Sequence, residues 1–260
     1  MTNRTSTLLS RRETLGALGS ALALGPNAAG ARATAAIEAV AFDAFPIFDP
    51  RSVTQKIIAL APDHGRELAQ AWSNKLFSTS WLYTVADQYA PFDAIAEDSL
   101  RFAADGLGLT LSSIDRANLV RAYSSLDAWP DVKTALAALR EAGIRLALLS
   151  NLGEAWLRVN LDRNGLTASF EHILSTDRVR AFKPSPKAYA MAQEAFGLPR
   201  SRIGFAAFGG WDAAGAAWFG YPTAWVNRAG SPPEHIGPAP TFIGRDLYAV
   251  LNLAGLPAVS

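Results

Sequence analysis

Asp43, Ser150, Asn151, Lys183 and Asp212 are the residues of this 260-residue chain whose types and settings could do chemistry. Asp43, Ser150-Asn151 and the Gly209-Gly210-Trp211-Asp212 turn each end a short apolar run, and Lys183 sits in the loop after another. An aspartate fixed at a strand end can act as a nucleophile. A neighbouring lysine would stabilise its negative charge, and a second carboxylate would hold that lysine protonated. Taken singly, each signal has an ordinary reading. Asp43 could be a loop or cap residue, and Ser150-Asn151 a turn with N-cap chemistry. Lys183-Pro184 could be a solvated loop, and Trp211-Asp212 a helix start with Trp211 in the core. The order and spacing of all four segments point beyond those readings, to one crevice.

The elements that must position these residues are legible from pattern. Ile37 to Phe42 is a short apolar, partly β-branched run and reads as a buried strand ending at Asp43. Four helical patterns follow between Ser52 and Ala122; one carries Leu68, Trp72, Leu76 and Phe77, another opens at Asp93. Trp129-Pro130-Asp131 opens a further helix, with Asp131 expected to face the helix dipole. Strands at 144–149, 172–174, 203–208 and 222–226 then alternate with helices at 153–164, 185–196, 212–219 and 246–253. Such alternation predicts an α/β fold with a doubly wound, mainly parallel sheet. The helices after the first strand interrupt it and predict an inserted helical cap. The expected division is a core of 36–49 and 126–260, a cap of 50–125 and a separate leader of 1–33. Gly230-Ser231-Pro232-Pro233 reads as a surface loop.

Composition narrows the function classes. Half of the residues are hydrophobic and 18% are charged, outside the disordered range. No run of about 18 apolar residues suggests a membrane span. With no Cys there is no thiolate nucleophile and no Cys-ligated metal. The net charge is +1 and Lys and Arg form no block, so no nucleic-acid partner is expected. The first 33 residues differ from the rest. A basic head ending in Ser10-Arg11-Arg12 precedes a weakly apolar, Gly- and Ala-rich stretch and an Ala31-Arg32-Ala33 site. The Arg11-Arg12 pair resembles a twin-arginine export signal, which predicts a periplasmic protein. Cleavage after Ala33 would remove Arg4, Arg11, Arg12, Arg32 and Glu13, taking the net charge from +1 to −2.

As a set, four motifs resemble those of the haloacid dehalogenase superfamily. They are Phe42-Asp43-Ala44-Phe45, Leu149-Ser150-Asn151, Phe182-Lys183-Pro184-Ser185 with Tyr189, and Trp211-Asp212-Ala213-Ala214-Gly215. The type II (S)-2-haloacid dehalogenases are the most similar branch. Trp72 to Tyr89 and Phe219 to Arg228 resemble that branch as well. The resemblance implies a hydrolysis that needs no metal or other cofactor and takes a short 2-haloacid as its small-molecule substrate. Asp43 would attack the halogen-bearing carbon, expel halide and form an ester that water then cleaves. Lys183 would stabilise the nucleophile, and Asp212 would orient Lys183 and the water. Ser150 and the Asn151 backbone would hold the substrate carboxylate, with Tyr189 and Trp211 on the site wall. Family members are commonly dimers, so the resemblance also implies a homodimer.

Superfamily phosphatases carry a second Asp two residues after the nucleophile, and here that position is Phe45. Halide needs no proton to leave, so an aromatic residue is tolerable there. Three segments depart from the dehalogenase pattern. The segment Phe45-Pro46-Ile47-Phe48-Asp49 is one residue short and lacks a Thr, and Ser73 replaces a cap Arg. Ala207 and Gly209 replace a Ser and an Asn. A hydrogen bond to a charged group contributes about 1.5–3 kcal/mol, so loss of the Arg alone corresponds to about 10- to 100-fold in activity. Three readings follow: a dehalogenase with a rearranged site, a hydrolase of another small substrate such as a phosphoester, or an exported binding protein that has lost catalysis.

Overall fold

In the computed structural model, which describes residues 36–257, the sheet begins with β1 (Ala39–Phe42), four consecutive apolar residues that are all fully buried. Such a run suits a central parallel strand, which is covered on both faces. Alternation along β1 divides its side chains between two layers. Val40 and Phe42 join the core on one face, and Ala39 and Ala41 join that on the other. The predicted leader, 1–33, lies outside the described residues. Among the described residues no helix is long and apolar enough to cross a membrane.

Four helices leave the sheet after β1: α1 (Arg51–Leu60), α2 (Gly65–Val85), α3 (Phe92–Gly106) and α4 (Ser113–Arg121). The 21-residue α2 buries Leu68, Trp72 and Leu76 along one stripe, and the Trp72 indole N–H donates to Ala96 O of α3 at 2.8 Å. The chain then returns through α5 (Val132–Glu141) to β2 (Arg145–Ser150). It continues through α6 (Glu154–Asn164), β3 (His172–Ser175), α7 (Pro186–Phe196) and β4 (Ile203–Ala207). It ends with α8 (Gly210–Phe219), β5 (Thr223–Val226), β6 (Phe242–Gly244) and α9 (Tyr248–Leu253). All six strands are parallel, in the order β3-β2-β1-β4-β5-β6. The chain steps from β1 to β2 on one side and later to β4 on the other. The switch point of the sheet therefore lies beside β1, where ligands bind at the carboxyl ends of strands.

Two expectations change. β6 is a strand that the sequence pattern did not predict; its three residues include two exposed apolar ones, so it carries no burial signature. Asp131 makes no side-chain cap on α5. Its carboxylate instead accepts the Leu247 N–H at 2.8 Å and pairs with Arg228 at 3.0 Å, while Arg228 also donates to Pro46 O at 2.7 Å. That web pins the segment after Asp43 to the far end of the sheet.

The path into and out of the helical layer is clamped. Trp129 N–H donates to Ile47 O at 3.0 Å and Asp49 N–H to Asp127 O at 2.8 Å, so the outgoing and returning segments pair. Asn160 and Asn164, one turn apart on α6, hold the returning segment. Asn160 accepts the Leu126 N–H and donates to Tyr123 O, and Asn164 accepts the Ala128 N–H and donates to Leu126 O. Asn160 is fully buried, so its removal leaves a backbone donor and acceptor without partners. Asn160→Ala is therefore expected to lower stability by about 2–4 kcal/mol, read from urea denaturation. A loss below about 0.5 kcal/mol would show that the clamp carries no weight.

Candidate active site

The site is built at the carboxyl ends of β1, β2 and β4. Asp43 follows β1 directly, with its N–H bonded to Ala206 O of β4 at 2.9 Å. Ser150 closes β2, and Asp212 lies in the first turn of α8, just past β4, where the helix dipole favours a carboxylate. Lys183 comes from the loop ahead of α7, its N–H bonded to Asn151 Oδ1 at 2.9 Å. The side chain of Asn151 thus fixes the lysine loop, with the Thr176 hydroxyl also directed at its Oδ1.

Lys183 joins the two acids. Its Nζ lies 2.8 Å from Asp43 Oδ1 and 2.7 Å from Asp212 Oδ2. Lys183 and Asp212 are each 1% exposed, whereas Asp43 keeps 8% and faces the cavity. Burial pulls the Lys183 ammonium down, but Asp212 and Asp43 outweigh it, so the lysine stays charged with its pKa raised. Asp212 is pushed up to about 6, mainly by burial, with Lys183 opposing and Asp43 adding to the rise. Asp43 Oδ2 accepts only the Phe45 N–H, at 3.2 Å, and is the freer of its two oxygens.

Tyr189 is not on the cavity wall. It is fully buried behind Asp212, where its hydroxyl donates to Oδ1 at 2.7 Å. Burial, with Asp212 beside it, pushes the Tyr189 hydroxyl far above its ordinary value, so it acts as a fixed donor. Gly215 makes this placement possible, since a Cβ there would come within 2.5 Å of the Tyr189 hydroxyl. Tyr189 is therefore a positioning residue for Asp212.

Asp43, Ser150, Asn151, Lys183, Trp211 and Asp212 all border one cavity of about 270 Å³ beneath the helical layer. Ser150 Oγ accepts the Leu152 N–H at 3.1 Å, which shapes the turn after β2. Several wall residues carried no signal in the sequence: Phe92, Tyr123 and Phe208. They are ordinary apolar positions until the fold gathers them. Ser73, where the family pattern places an Arg, also borders the cavity, as does Arg51. Arg51 is held by Asp49 at 2.6 Å and stacks over Trp129. Among the described residues, no group of three or more His, Asp and Glu could hold a metal ion.

Removing the lysine tests this electrostatic frame without reference to any reaction. Lys183→Met would leave two buried carboxylates facing each other, a loss of about 3–5 kcal/mol at pH 7. Without the ammonium that opposes the rise, Asp212 binds its proton more tightly in the native than in the unfolded state. Stability of the variant must then rise as the pH falls from 7 to 5, since stability falls with pH wherever the native state binds more protons. Urea denaturation at both pH values reads this directly. A variant equally stable at both would show that the acids are not coupled through Lys183.

The same geometry has relatives. The family model of the haloacid dehalogenase-like hydrolases matches residues 26–220. An (S)-2-haloacid dehalogenase of Pseudomonas sp. (strain YL) is 37% identical over 218 residues, covering 84% of this chain and 94% of the relative. The crystal structure of the L-2-haloacid dehalogenase RSc1362 superposes with a TM-score of 0.81 at 37% identity, over 85% of this chain and 99% of that one. The Xanthobacter autotrophicus L-2-haloacid dehalogenase with chloropropionic acid covalently bound superposes with a TM-score of 0.75 at 30% identity, over 83% and 98%. Sequence, fold and relatives agree: this chain belongs to the haloacid dehalogenase-like hydrolases and is a homologue of the (S)-2-haloacid dehalogenases.

Proposed function

We propose that the protein hydrolyses the carbon–halogen bond of (S)-2-haloacids through an aspartyl ester at Asp43. The observation that carries this reading is the buried Lys183 ammonium, which bridges a cavity-facing carboxylate and a sequestered one. Asp43 Oδ2 displaces halide in line, forming a C–O bond as the C–halogen bond breaks. Water then adds to the ester carbonyl. Collapse returns Asp43 with one oxygen from water and releases the 2-hydroxy acid, while the protons balance as hydrogen halide. The Lys183 ammonium stays on Oδ1, where charge develops as water adds. Ser150 and the turn at Asn151 offer donors to the substrate carboxylate. The Phe45 ring packs 5.7 Å from Phe208 and 6.1 Å from Tyr123, so that position supplies no proton. Halide, unlike an alkoxide, needs none.

The second step is the weaker one. Asp212 has both oxygens engaged, by Lys183 and Tyr189, and Ala207 and Gly209 offer no side-chain donors to the hydrolytic water. The expected result with (S)-2-chloropropionate is slow halide release and an adduct at Asp43 visible by intact mass. Asp43→Asn should abolish both, and Asp212→Ala should mainly slow the decay of the adduct. Neither halide nor adduct across short 2-haloacids would sink the reading. Magnesium-dependent phosphatase activity in parallel would favour the phosphoester hydrolase instead.

Residues 1–33 are proposed to be a twin-arginine export signal, supported by Arg11-Arg12, the weakly apolar stretch after them and the Ala31-Arg32-Ala33 site. Changing Arg11-Arg12 to Lys-Lys should block processing. The exported form should begin near Thr34 or Ala36 by mass spectrometry. Full-length protein retained in the cytoplasm would overturn the localisation.

A further inference from the structure

The cavity is larger and more apolar than a short haloacid requires. Its polar groups lie on one side, at the strand ends. The helices α1 to α3 supply the other side, and of the residues they contribute only Arg51, Thr54 and Ser73 are polar. Arg51 is already engaged by Asp49, and its guanidinium is largely in solvent. Beside these polar groups is a cup of aromatic rings centred on Tyr123, which Phe45 joins from the strand-end side. Trp72 lies 5.7 Å from its ring, Phe92 6.0 Å and Phe45 6.1 Å. A second wall is formed by Trp211 against Phe77, at 5.3 Å. These spacings are those of edge-to-face and tilted aromatic pairs, an arrangement that a further ring can join. Burial pushes the Tyr123 hydroxyl upward, so the cup carries no charge at neutral pH.

Size decides what the cup is for. An apolar cavity of about 150 Å³ is enough for benzene. The 270 Å³ here leaves room for such a group and, beyond it, for a carboxylate and a carbon–halogen bond. In 2-chloropropionate the side chain is one methyl group, which would leave most of the aromatic surface without a partner. At Ser73 the cup wall carries a small hydroxyl where a long cation would have filled space and drawn in a small anion.

From this segregation we propose that the site selects 2-halocarboxylates with an aryl or similarly bulky apolar side chain. The carboxylate and reacting carbon lie over Asp43 and Ser150, and the side chain fills the cup between Tyr123, Trp72 and Trp211. The chemical step rests on the dehalogenase reading; the recognition of the side chain does not, and the two can be tested apart.

Binding is measured first, by calorimetry on the full chain with propionate and 3-phenylpropionate, which carry no halogen. The aryl acid should bind at least about 30-fold more tightly, the gain for burying a phenyl group in an apolar pocket. Ala69, which borders the cavity from α2, gives the matching variant. Ala69→Phe should bring that ratio to about one by filling the space. Turnover follows, with (S)-2-chloropropionate and (S)-2-chloro-3-phenylpropionate, and the aryl substrate should lead in kcat/KM by about 30-fold or more. If wild-type protein binds the two acids within about threefold of each other, the proposal is overturned whatever the turnover. A kcat/KM for chloropropionate equal to or above that of the aryl substrate overturns it too, while leaving dehalogenation standing. Tight aryl binding with no halide from either substrate keeps the cup and removes the dehalogenase reading.

Discussion

One lysine between two acids sets the terms for the rest of the molecule. A buried ammonium of this kind is tolerable only because Asp43 and Asp212 both contact it, and each acid needs the lysine in return. The trio carries one net negative charge when both acids are ionised, in a place nearly sealed from water. Every surrounding feature reads as a consequence. Tyr189 supplies Asp212 with a neutral donor, and Gly215 leaves the space in which it does so. Asn151 secures the backbone of the lysine loop. Only Asp43 is left partly open, and it faces the cavity. An arrangement that buries an ammonium, hides one acid beside it and presents the other acid to a ligand is poor as a stabilising device. It is well suited to holding a nucleophile.

Holding that trio in register falls to the fold. Asp43 directly follows β1 and Asp212 lies in the first turn of α8, just past the neighbouring parallel strand β4, so the pairing of the two strands brings both acids to one end of the sheet. The segment after Asp43 must leave the sheet to enter the helical layer, and there the chain would be free to shift. It is held instead at both ends of its path. Arg228, itself held by Asp131, grips Pro46, and the returning segment pairs with this stretch under the asparagine clamp of α6. The helical layer is thereby tied to the same elements that carry the nucleophile. A cavity wall and a reacting group attached to one frame keep a defined distance, which positional catalysis requires.

The core elements were legible because they repeat a strong local pattern: short apolar strands alternating with amphipathic helices. The polar members of the site were legible because Asp43 and Ser150-Asn151 sit at the ends of such strands, with Asp212 in the turn of chain after one strand and Lys183 in the loop after another. Beyond that, local sequence carries little. β6 is short and exposed, so no burial period marks it. Asp131 reads as a helix-start acid, but its partners lie 97 and 116 residues away. Tyr189 lies on α7, after the loop that carries Lys183, and nothing local distinguishes facing the cavity from facing Asp212. The aromatic cup was invisible for the same reason. Phe92 and Tyr123 are unremarkable apolar residues in two separate segments until tertiary packing brings them against Phe45 and Trp72.

The departures from the dehalogenase pattern make sense together. A side chain at position 209 would place its Cβ 2.7 Å from the Trp211 indole nitrogen, so the glycine is what lets the indole fold back over this turn. Ala207, fully buried at the end of β4, offers no hydrogen-bonding side chain either. Two polar positions beside the acids have therefore given way to apolar surface, and Ser73 has removed a charge from the opposite wall. Each change alone would weaken handling of water or of a small anion. Together they move the site in one direction, toward a drier pocket whose shape is set by aromatic rings. A side chain added at 209 would meet the indole, which already occupies that space. The glycine and the position of the Trp211 ring are thus coupled, and any larger residue at 209 requires the ring to move as well.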